Sequence, residues 1–267
     1  MIPFANIELM DIISENSVYG VIWKAKYNEI ICAVKMLVLT SGIHYKNQWL
    51  NGDMQPIDKS AIIVPLNGFK LERYYKRQPI SRPNFIQEAE SLDMMCKMGL
   101  GPKYYGYSMY QQNGFVIGFI VMELVSGSLA NVILNRQLTK TEHKMVDKTI
   151  DHMHRIVVHR DLKPENIGVH LDQNGYITKV VILDCNRMQT KADLCKSEFK
   201  QLRKQDLSRF KLRCQLAQEK RDAVAKKGSM RADVACLTSR AIVPASELVL
   251  KRARKSLWDT RLASHYK

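Results

Sequence analysis

The stretch His159-Arg160-Asp161-Leu162-Lys163-Pro164-Glu165-Asn166-Ile167 decides how the rest of the chain is interpreted. It places a carboxylate at Asp161, an ammonium at Lys163 and an amide at Asn166 within a few residues of one another. A carboxylate can orient and deprotonate a hydroxyl, an ammonium can neutralise a phosphate in transfer, and an amide oxygen can hold a metal ion. These are the groups that phosphoryl transfer requires, and such a string rarely arises by chance.

The residues on either side of this string predict a helix before it and a hairpin after it. Thr139 and Glu142 form a capping-box signature that opens an amphipathic helix. After the string, residues 167–169 and 179–183 predict two strands joined across Asn174-Gly175, a dipeptide that favours tight hairpin turns.

The N-terminal part of the chain is predicted to be rich in strands. Residues 7–37 show the alternating, β-branched pattern of three short strands, the last two joined by a turn at residues 27–29. Residues 40–82 mix Gly, Asn, Asp and Pro with one apolar patch at residues 61–64. We expect a long insertion there, which can contribute a strand.

One helix and two further strands are predicted between the insertion and the capping box. Pro83 begins a helix that ends near Gly99, because apolar residues recur between them at three- and four-residue steps. Residues 103–110 and 115–125 then predict two strands around a turn at residues 112–114.

This order of elements, together with the string at residues 159–167, resembles the protein kinase family, with serine/threonine kinase-like features in a divergent form. The resemblance runs from about Ile7 to Asn186 and implies an α+β, two-lobed fold with a strand-rich N-lobe and a shortened helical C-lobe. It also implies ATP and Mg²⁺ as cofactors. The predicted domains are an N-lobe at 1–125 with its insertion at about 40–82, a C-lobe core at 126–190, and a basic helical segment at 191–267.

Ala33-Val34-Lys35 on the third strand resembles the alanine-x-lysine of the family, in which the lysine reaches the α- and β-phosphates of ATP. Such a lysine needs a carboxylate partner on the first long helix. At 100° per residue, Glu88 falls beside Leu92 on the flank of the apolar face, whereas Glu90 points to the opposite side. Glu88 is therefore the predicted partner, and an ordinary surface glutamate is the alternative.

Asp184 follows an apolar strand at the place where the family has the aspartate of its aspartate-phenylalanine-glycine triplet. The resemblance implies that Asp184 and Asn166 bind magnesium. The triplet here is Asp184-Cys185-Asn186, so the metal-binding carboxylate is kept and the phenylalanine and glycine are not. Switching between active and inactive arrangements is therefore put in doubt more than metal binding is.

Two further segments resemble the ATP-binding elements of the family. Residues 15–22 align with the glycine-rich loop but retain only Gly20 of its three glycines, and Ile22 follows on the next strand. Residues 121–127 resemble the hinge, whose backbone at Glu123 and Val125 would bond the adenine edge. The ATP-binding residues implied are Lys35, Glu88, Gly20, Ile22, Ala33, Glu123 and Val125.

The resemblance also implies roles within the catalytic string itself. Asp161 is the catalytic base and Lys163 the residue that stabilises the transferring phosphoryl, and a lysine at this place is typical of serine/threonine kinases. His159 and Arg160 are expected to be structural, with His159 packing the loop and Arg160 facing a phosphate or acid from the activation segment.

Beyond Asp184 the resemblance fails, because the alanine-proline-glutamate triplet that closes the activation segment is absent. Asp233 is a weak candidate for the aspartate that steadies the catalytic loop. Few residues follow it, so the substrate lobe must be abbreviated.

The positive charge of the chain is concentrated at its C-terminal end. The net charge is +15, with 20 Lys and Arg against 18 Asp and Glu in residues 1–184, but 21 against 8 in residues 185–267. Residues 191–227 show a basic helical pattern that ends at Gly228. Such a segment predicts an anionic partner, an acidic protein, nucleic acid or a membrane surface, with a solvated helical face as the alternative.

Two explanations of this segment stay open. It can replace the missing helices by packing its apolar residues against the lobe, or it can be an arm that docks on nucleic acid through phosphate contacts. The apolar positions favour the first explanation. They are Leu202, Leu207, Phe210 and Leu216.

The six cysteines are scattered without zinc-like spacing and are expected to be reduced thiols. The N-terminus lacks the basic start of a signal peptide, and no apolar run approaches the roughly 20 residues of a membrane span. We expect a cytoplasmic or nuclear location.

The sequence favours an ATP- and magnesium-dependent kinase that phosphorylates serine or threonine hydroxyls of a protein substrate. A pseudokinase-like scaffold is the first alternative, because the glycine-rich loop and the Asp184 triplet are altered. A small-molecule kinase is the second, because a compact second lobe also suits a non-protein acceptor.

Overall fold

An antiparallel sheet forms the first part of the chain, and short strands and helices form the second. The structure is a computed structural model that describes residues 1–14, 20–40, 44–45, 48–49, 80–112 and 115–240, with side chains for 1–14, 20–39, 80–110 and 116–226. Residues 1–221 form one compact unit and residues 222–267 a second. The lobe boundaries at residues 125 and 190 stay predictions.

The predicted strands and helices of the described residues occur in the predicted order, together with short elements that were not predicted. The strands are β1 (Ile7–Ser14), β2 (Gly20–Tyr27), β3 (Ile30–Thr40), β4 (His44–Tyr45), β5 (Gln48–Trp49), β6 (Ile80–Ser81), β7 (Tyr104–Gln112), β8 (Phe115–Glu123), β9 (Gly127–Ser128), β10 (Val157–Val158), β11 (Ile167–Leu171), β12 (Ile177–Ile182) and β13 (Gln189–Thr190). The helices are α1 (Arg82–Lys97), α2 (Leu129–Asn135), α3 (Lys140–Met153) and α4 (Lys196–Arg240). The apolar patch at residues 61–64 of the predicted insertion, and residues 113–114 of the predicted turn at 112–114, lie outside the described residues.

The main sheet has the strand order β1-β2-β3-β8-β7, with β6 added in parallel to the end of β3. Side chains alternate across β3, so that Ala33 and Leu37 belong to the core cluster shared with the helices. Cys32 and Val34 belong to a second cluster on the opposite face. The same period of two places Lys35 on the face of Ala33 and Leu37, which is the face that the helices cover.

Helix α1 is fixed against this face by its cap and by one close contact. The side chain of Ser81 accepts a hydrogen bond from the backbone of Asn84, and Pro83 occupies the first turn. Phe85 is fully buried, and a Cβ on Gly118 of β8 would lie 2.4 Å from its ring. Only glycine permits this approach of helix to sheet. The predicted helix from Pro83 to Gly99 is confirmed to within two residues.

Helix α3 begins with the predicted capping box. The hydroxyl of Thr139 accepts the amide of Glu142, and the carboxylate of Glu142 accepts the amide of Thr139. Glu142 also accepts the amide of Ile177 at 2.8 Å and binds Arg136. It therefore joins α3 to the β11–β12 hairpin, which turns at Gly175 with a φ of 79°.

Helix α4 differs from its prediction at both ends. It begins at Lys196 rather than residue 191 and continues past Gly228 to Arg240. A glycine inside a helix is unfavourable by only about 1 kcal/mol relative to alanine, which does not end a helix flanked by good helix formers. No helix in the described ranges is both long and apolar enough to cross a lipid bilayer.

Helix α4 packs its first half against the catalytic part of the chain, as the first explanation of the basic segment proposes. Phe210 is buried in the main core cluster and Leu207 packs against it. The expectation for Leu216 is wrong, because its side chain is 47% exposed. Six residues beyond Phe210 correspond to a rotation of 120° away from the core, and Ala217 contacts the core instead.

Candidate active site

Three elements bring Lys35, Glu88 and Asp184 together. The ammonium of Lys35 on β3 donates to the carboxylate of Glu88 on α1, and also to Oδ1 of Asp184 beyond β12 at 2.7 Å. The side chains of Lys35 and Glu88 are 7% and 4% exposed, whereas that of Asp184 is 31% exposed. The pairing of Lys35 with Glu88, predicted from helical geometry, is present in the structure.

The electrostatics of this cluster follow from one ammonium shared between two carboxylates. Burial lowers the pKa of Lys35, but the charges of Glu88 and Asp184 outweigh burial and raise that pKa above its ordinary value. Burial likewise opposes ionisation of Asp184, yet Lys35 keeps the pKa of Asp184 below its usual range. For Glu88, burial raises the pKa and the shared ammonium only partly offsets it. Lys35 is therefore charged at neutral pH and Asp184 is an anion.

The catalytic string forms a second cluster around Asp161. Oδ2 of Asp161 accepts a hydrogen bond from the ammonium of Lys163 at 2.7 Å and from Nδ2 of Asn166 at 3.2 Å. The same amide nitrogen donates to the backbone oxygen of Asp161 at 2.9 Å. Asn166 thus fixes the carboxylate of Asp161 while Asp161 and Lys163 stay about one-third exposed, at 34% and 32%. Groups so placed are open to a reacting molecule.

Backbone contacts hold the two clusters next to each other. The ring of His159 is buried, and its Nε2 bonds the backbone oxygen of Leu183 at 2.8 Å. Since Nδ1 of His159 accepts the amide of Asp161, Nε2 carries the proton. The amide of Leu183 in turn donates to the backbone oxygen of Asn166 at 2.9 Å. The expected structural role of His159 is therefore present, and His159 links Asp161 to the residue before Asp184.

Asp206 of α4 steadies the catalytic loop, a role for which the sequence offered Asp233 as a weak candidate. Oδ2 of Asp206 accepts the amide of His159 at 2.7 Å and lies 3.4 Å from Nε2 of His154. Burial raises the pKa of Asp206, but its hydrogen bonds to His154 and to the backbone amides of His159 and Arg160 outweigh burial. The pKa of Asp206 therefore lies below its ordinary value. The side chain of Asp233 lies outside the described side chains. One sequence signal could have indicated Asp206. It is an acidic residue seven positions after Phe199 and four before Phe210, on the buried face of a basic helix.

The donor atoms fit a magnesium ion bound together with nucleotide phosphates. No group of three or more His, Cys, Asp or Glu side chains suited to a metal occurs in the described ranges, so a closed protein cage is absent there. Asp184 offers a carboxylate, and Asn166 offers Oδ1 because its nitrogen is committed to Asp161. Mg²⁺ is commonly held by one or two such oxygen ligands and completes its shell with water and phosphate.

Comparison with known protein families identifies the chain. A model of the lipopolysaccharide kinase (Kdo/WaaP) family matches residues 68–239, which include Glu88, Asp161, Asp184 and Asp206. The chain belongs to this family. The predicted divergent kinase, its α+β fold and its phosphotransferase class are thereby supported. No curated protein gives a significant match.

In this Kdo/WaaP family chain, Gly20 permits two strands of the sheet to lie close together, and its predicted role toward the phosphates of ATP stays a prediction. A Cβ at Gly20 would lie 2.5 Å from the backbone oxygen of Met36, so glycine permits β2 to pass close to β3. Residues 15–19, which complete the predicted glycine-rich loop, lie outside the described residues. Ile22 is half-buried on β2, and Ala33 is buried opposite Met122 of β8. Ala33 therefore lies beside the start of the predicted hinge, whereas Ile22 pairs with Lys35 of β3.

The hinge residues of this family member are partly committed to its own fold. The amide of Glu123 donates to the backbone oxygen of Lys103 at 2.8 Å, so it is not free for adenine. The carboxylate of Glu123 accepts the amide of Lys103 and the ammonium of Lys179, and these bonds lower its pKa against the opposing effect of burial. Val125 follows the end of β8, and its role toward adenine stays a prediction.

The segment after Asp184 is short and closely tied to the core. Asp184 itself has a φ of 58°, whereas Asn186 lies in a short 3-10 turn and needs no glycine-like backbone. Cys185 stands where protein kinases have the phenylalanine of their triplet. It is buried in the main core, and burial raises the pKa of its thiol. Residues 185–195 then lead directly to α4, with β13 pairing β10.

Proposed function

We propose that this protein transfers the γ-phosphoryl group of ATP to a hydroxyl of a saccharide, with lipopolysaccharide-type oligosaccharides as the substrate class. The single observation that carries the proposal is the assembled pair of clusters, Lys35–Glu88–Asp184 and Asp161–Lys163–Asn166, in a chain of the lipopolysaccharide kinase family. The family name supplies the acceptor class, and the geometry supports the chemistry.

The residues of the two clusters divide the reaction between them. Lys35, held by Glu88, positions the α- and β-phosphates of ATP. Asp161 orients the acceptor hydroxyl and receives its proton as the hydroxyl oxygen attacks the γ-phosphorus and ADP leaves. Lys163 stabilises the charge of the phosphoryl group in transfer. Positioning and electrostatic stabilisation account for most of the acceleration in such reactions.

Asn166 and Asp184 would hold Mg²⁺, which neutralises phosphate charge when it is bound. The ionised state of Asp184 supports this role, because Lys35 lowers its pKa. Lys35 therefore acts twice, on the phosphates and on the metal-binding carboxylate.

The short segment after Asp184 favours a non-protein acceptor. Protein kinases use the chain after this aspartate, and the helices beyond it, to bind the protein substrate. Here only residues 185–195 separate Asp184 from α4, and Asp206 of that helix already bonds the catalytic loop. A platform for a peptide is therefore missing at this place in the described chain. Lys163, which is typical of serine/threonine kinases, remains the feature that favours a protein hydroxyl.

The test compares acceptors with the purified full-length chain, labelled ATP and Mg²⁺. We expect label to enter a purified lipopolysaccharide core oligosaccharide, with the modified hydroxyl located by mass spectrometry and NMR. A basic protein and casein serve as protein acceptors, and autophosphorylation is scored in each reaction. The Asp161→Asn variant is the matched control. Label in protein acceptors alone would contradict the saccharide proposal, and no turnover with bound ATP would favour the scaffold alternative.

A further inference from the structure

Two neighbouring cavities lie beside the catalytic loop and share two arginines. The larger, of about 320 Å³, is lined by Arg160, Arg187 and Asn186 among others. The smaller, of about 180 Å³, is lined by Arg160, Arg187 and Arg209. Three guanidinium groups therefore line the two cavities: Arg160 from the catalytic loop, Arg187 from the turn after Asp184, and Arg209 from α4.

These guanidinium groups are exposed and lack acidic partners. Among the described side chains, no carboxylate lies within 4.0 Å of the side-chain nitrogens of Arg160, Arg187 or Arg209. Asp206 also borders the smaller cavity, but it is 1% exposed and its oxygen accepts the backbone of the catalytic loop. Three like charges without compensation repel one another and attract an anion.

The arginines lie close to the proposed reacting groups, through the sequence or through one hydrogen bond. Arg160 precedes Asp161, and its backbone is held at a φ of 66°. Nη1 of Arg209 donates to the backbone oxygen of Arg160 at 3.0 Å. Arg187 ends the short 3-10 turn that begins after Asp184. Non-glycine residues at positive φ cost about 1 kcal/mol or more, and they cluster at functional sites.

We propose that Arg160, Arg187 and Arg209 form an anion subsite that binds a phosphate or carboxylate group carried by the acceptor. This rests on the proposed function and names a property of its substrate: the saccharide is anionic. Guanidinium groups match phosphate and carboxylate oxygens in paired hydrogen bonds. The neutral side chains of Gln87, Asn186 and Gln205 in the walls can add single donors. Binding the anion beside Asp161 orients the acceptor before its hydroxyl reacts.

The first test measures anion binding without any acceptor. Inorganic phosphate is titrated into the full-length protein with its nucleotide site filled by a non-hydrolysable ATP analogue and Mg²⁺. We expect wild type and Arg203→Gln, an exposed arginine of α4 outside both cavities, to bind phosphate equally. Arg187→Gln should bind it about ten- to a hundredfold more weakly, the effect of losing hydrogen bonds to a charged group. Absent binding to wild type, or equal binding to Arg187→Gln, overturns the subsite.

The second test uses two acceptors that differ only in a phosphate monoester removed by phosphatase. Wild type and Arg203→Gln should prefer the phosphorylated acceptor by about ten- to a hundredfold in kcat/KM, mainly through KM. Arg187→Gln should lose most of this preference. An unchanged preference in Arg187→Gln overturns the assignment of the anion to the acceptor, and mass spectrometry of the protein then shows whether a phosphate on its own chain occupies the subsite.

The two tests separate this inference from the proposed function. If phosphate binding depends on Arg187 but no saccharide is phosphorylated, the subsite is supported and the saccharide function is overturned. If saccharides are phosphorylated with no dependence on Arg187, the reverse holds.

Discussion

The ammonium groups of Lys35 and Lys163 each lie 2.7 Å from an aspartate, yet their surroundings differ. Lys35 is buried between β3 and α1 and is shared by two carboxylates. Lys163 and its partner Asp161 are about one-third exposed on the catalytic loop. Removing one partner of a buried ion pair lowers the stability of the fold strongly, because the other charge is left buried without compensation. An exposed pair adds little to stability. The first pair is thus part of the architecture, and the second is available for reaction.

The largest effect should come from the exposed cluster and should leave the fold intact. In Asp161→Asn the shape is kept and the proton acceptor is lost, so turnover should fall by about three to four powers of ten. ATP binding and the unfolding midpoint in urea should stay near wild type. Asp151→Asn, on the exposed face of α3, is the control. A variant with wild-type turnover would exclude Asp161 as the base.

The buried pair should show the opposite behaviour. Lys35→Met leaves the charge of Glu88 buried without a partner, so the free energy of unfolding should fall by about 3–5 kcal/mol in urea denaturation. Lys26→Met, which removes the partly exposed pair with Glu29, should change it by less than about 1 kcal/mol.

A double variant separates charge from shape at this position. Lys35→Met with Glu88→Gln removes both charges, so it should recover part of the lost stability but none of the activity. If the double variant is no more stable than Lys35→Met, the loss does not arise from the uncompensated carboxylate.

Low pH should destabilise the protein through Glu142, a buried carboxylate outside both clusters. Arg136, and then the amides of Ile177 and Thr139, lower the pKa of Glu142 to about 2 against the effect of burial. Because its pKa is lowered in the folded state, ionised Glu142 stabilises the protein at pH values above about 4.5. This stabilisation is lost as the pH falls from about 4.5 through about 2. The expected loss from this group is about 3 kcal/mol. Glu142→Gln should be less stable at neutral pH and should lack this part of the acid dependence in urea titrations at each pH.

The smallest effect on stability should come from Lys163→Met. Because its pair with Asp161 is partly exposed, the free energy of unfolding should change by less than about 1 kcal/mol. Turnover should nevertheless fall about a hundredfold, since a group that stabilises charge in the transition state is lost. A large loss of stability would show that the two pairs do not differ in the way described.

The sequence predicted those parts of the site that depend on local pattern. The string around Asp161 is contiguous, and Lys35 follows from strand alternation. Glu88 was selected over Glu90 by rotation around a helix, because its side chain had to meet both an apolar face and a lysine. Each of these inferences used spacing along one element, which sequence shows directly.

Contacts between distant elements were harder to predict. Asp206 lies 47 residues from the amide that it accepts, and nothing near His159 indicates it. Gly20 meets a further constraint that the sequence did not show, because a Cβ there would lie 2.5 Å from the backbone oxygen of Met36, and its role toward phosphate stays a prediction. The end of α4 was missed because one glycine opposes a long helical pattern only weakly. Pairing between elements decides such positions, and a single sequence does not record it.

The contact of Asp206 with the catalytic loop makes that loop depend on a residue that is synthesised after it. Chains fold from the N-terminus as they leave the ribosome. A nascent chain that has exposed residues 1–184 already contains Lys35, Asp161 and Asp184, but the buried amide of His159 has no acceptor until α4 is synthesised. A chain that ends before residue 206 would therefore contain all three of these side chains and would lack the carboxylate that bonds the catalytic loop.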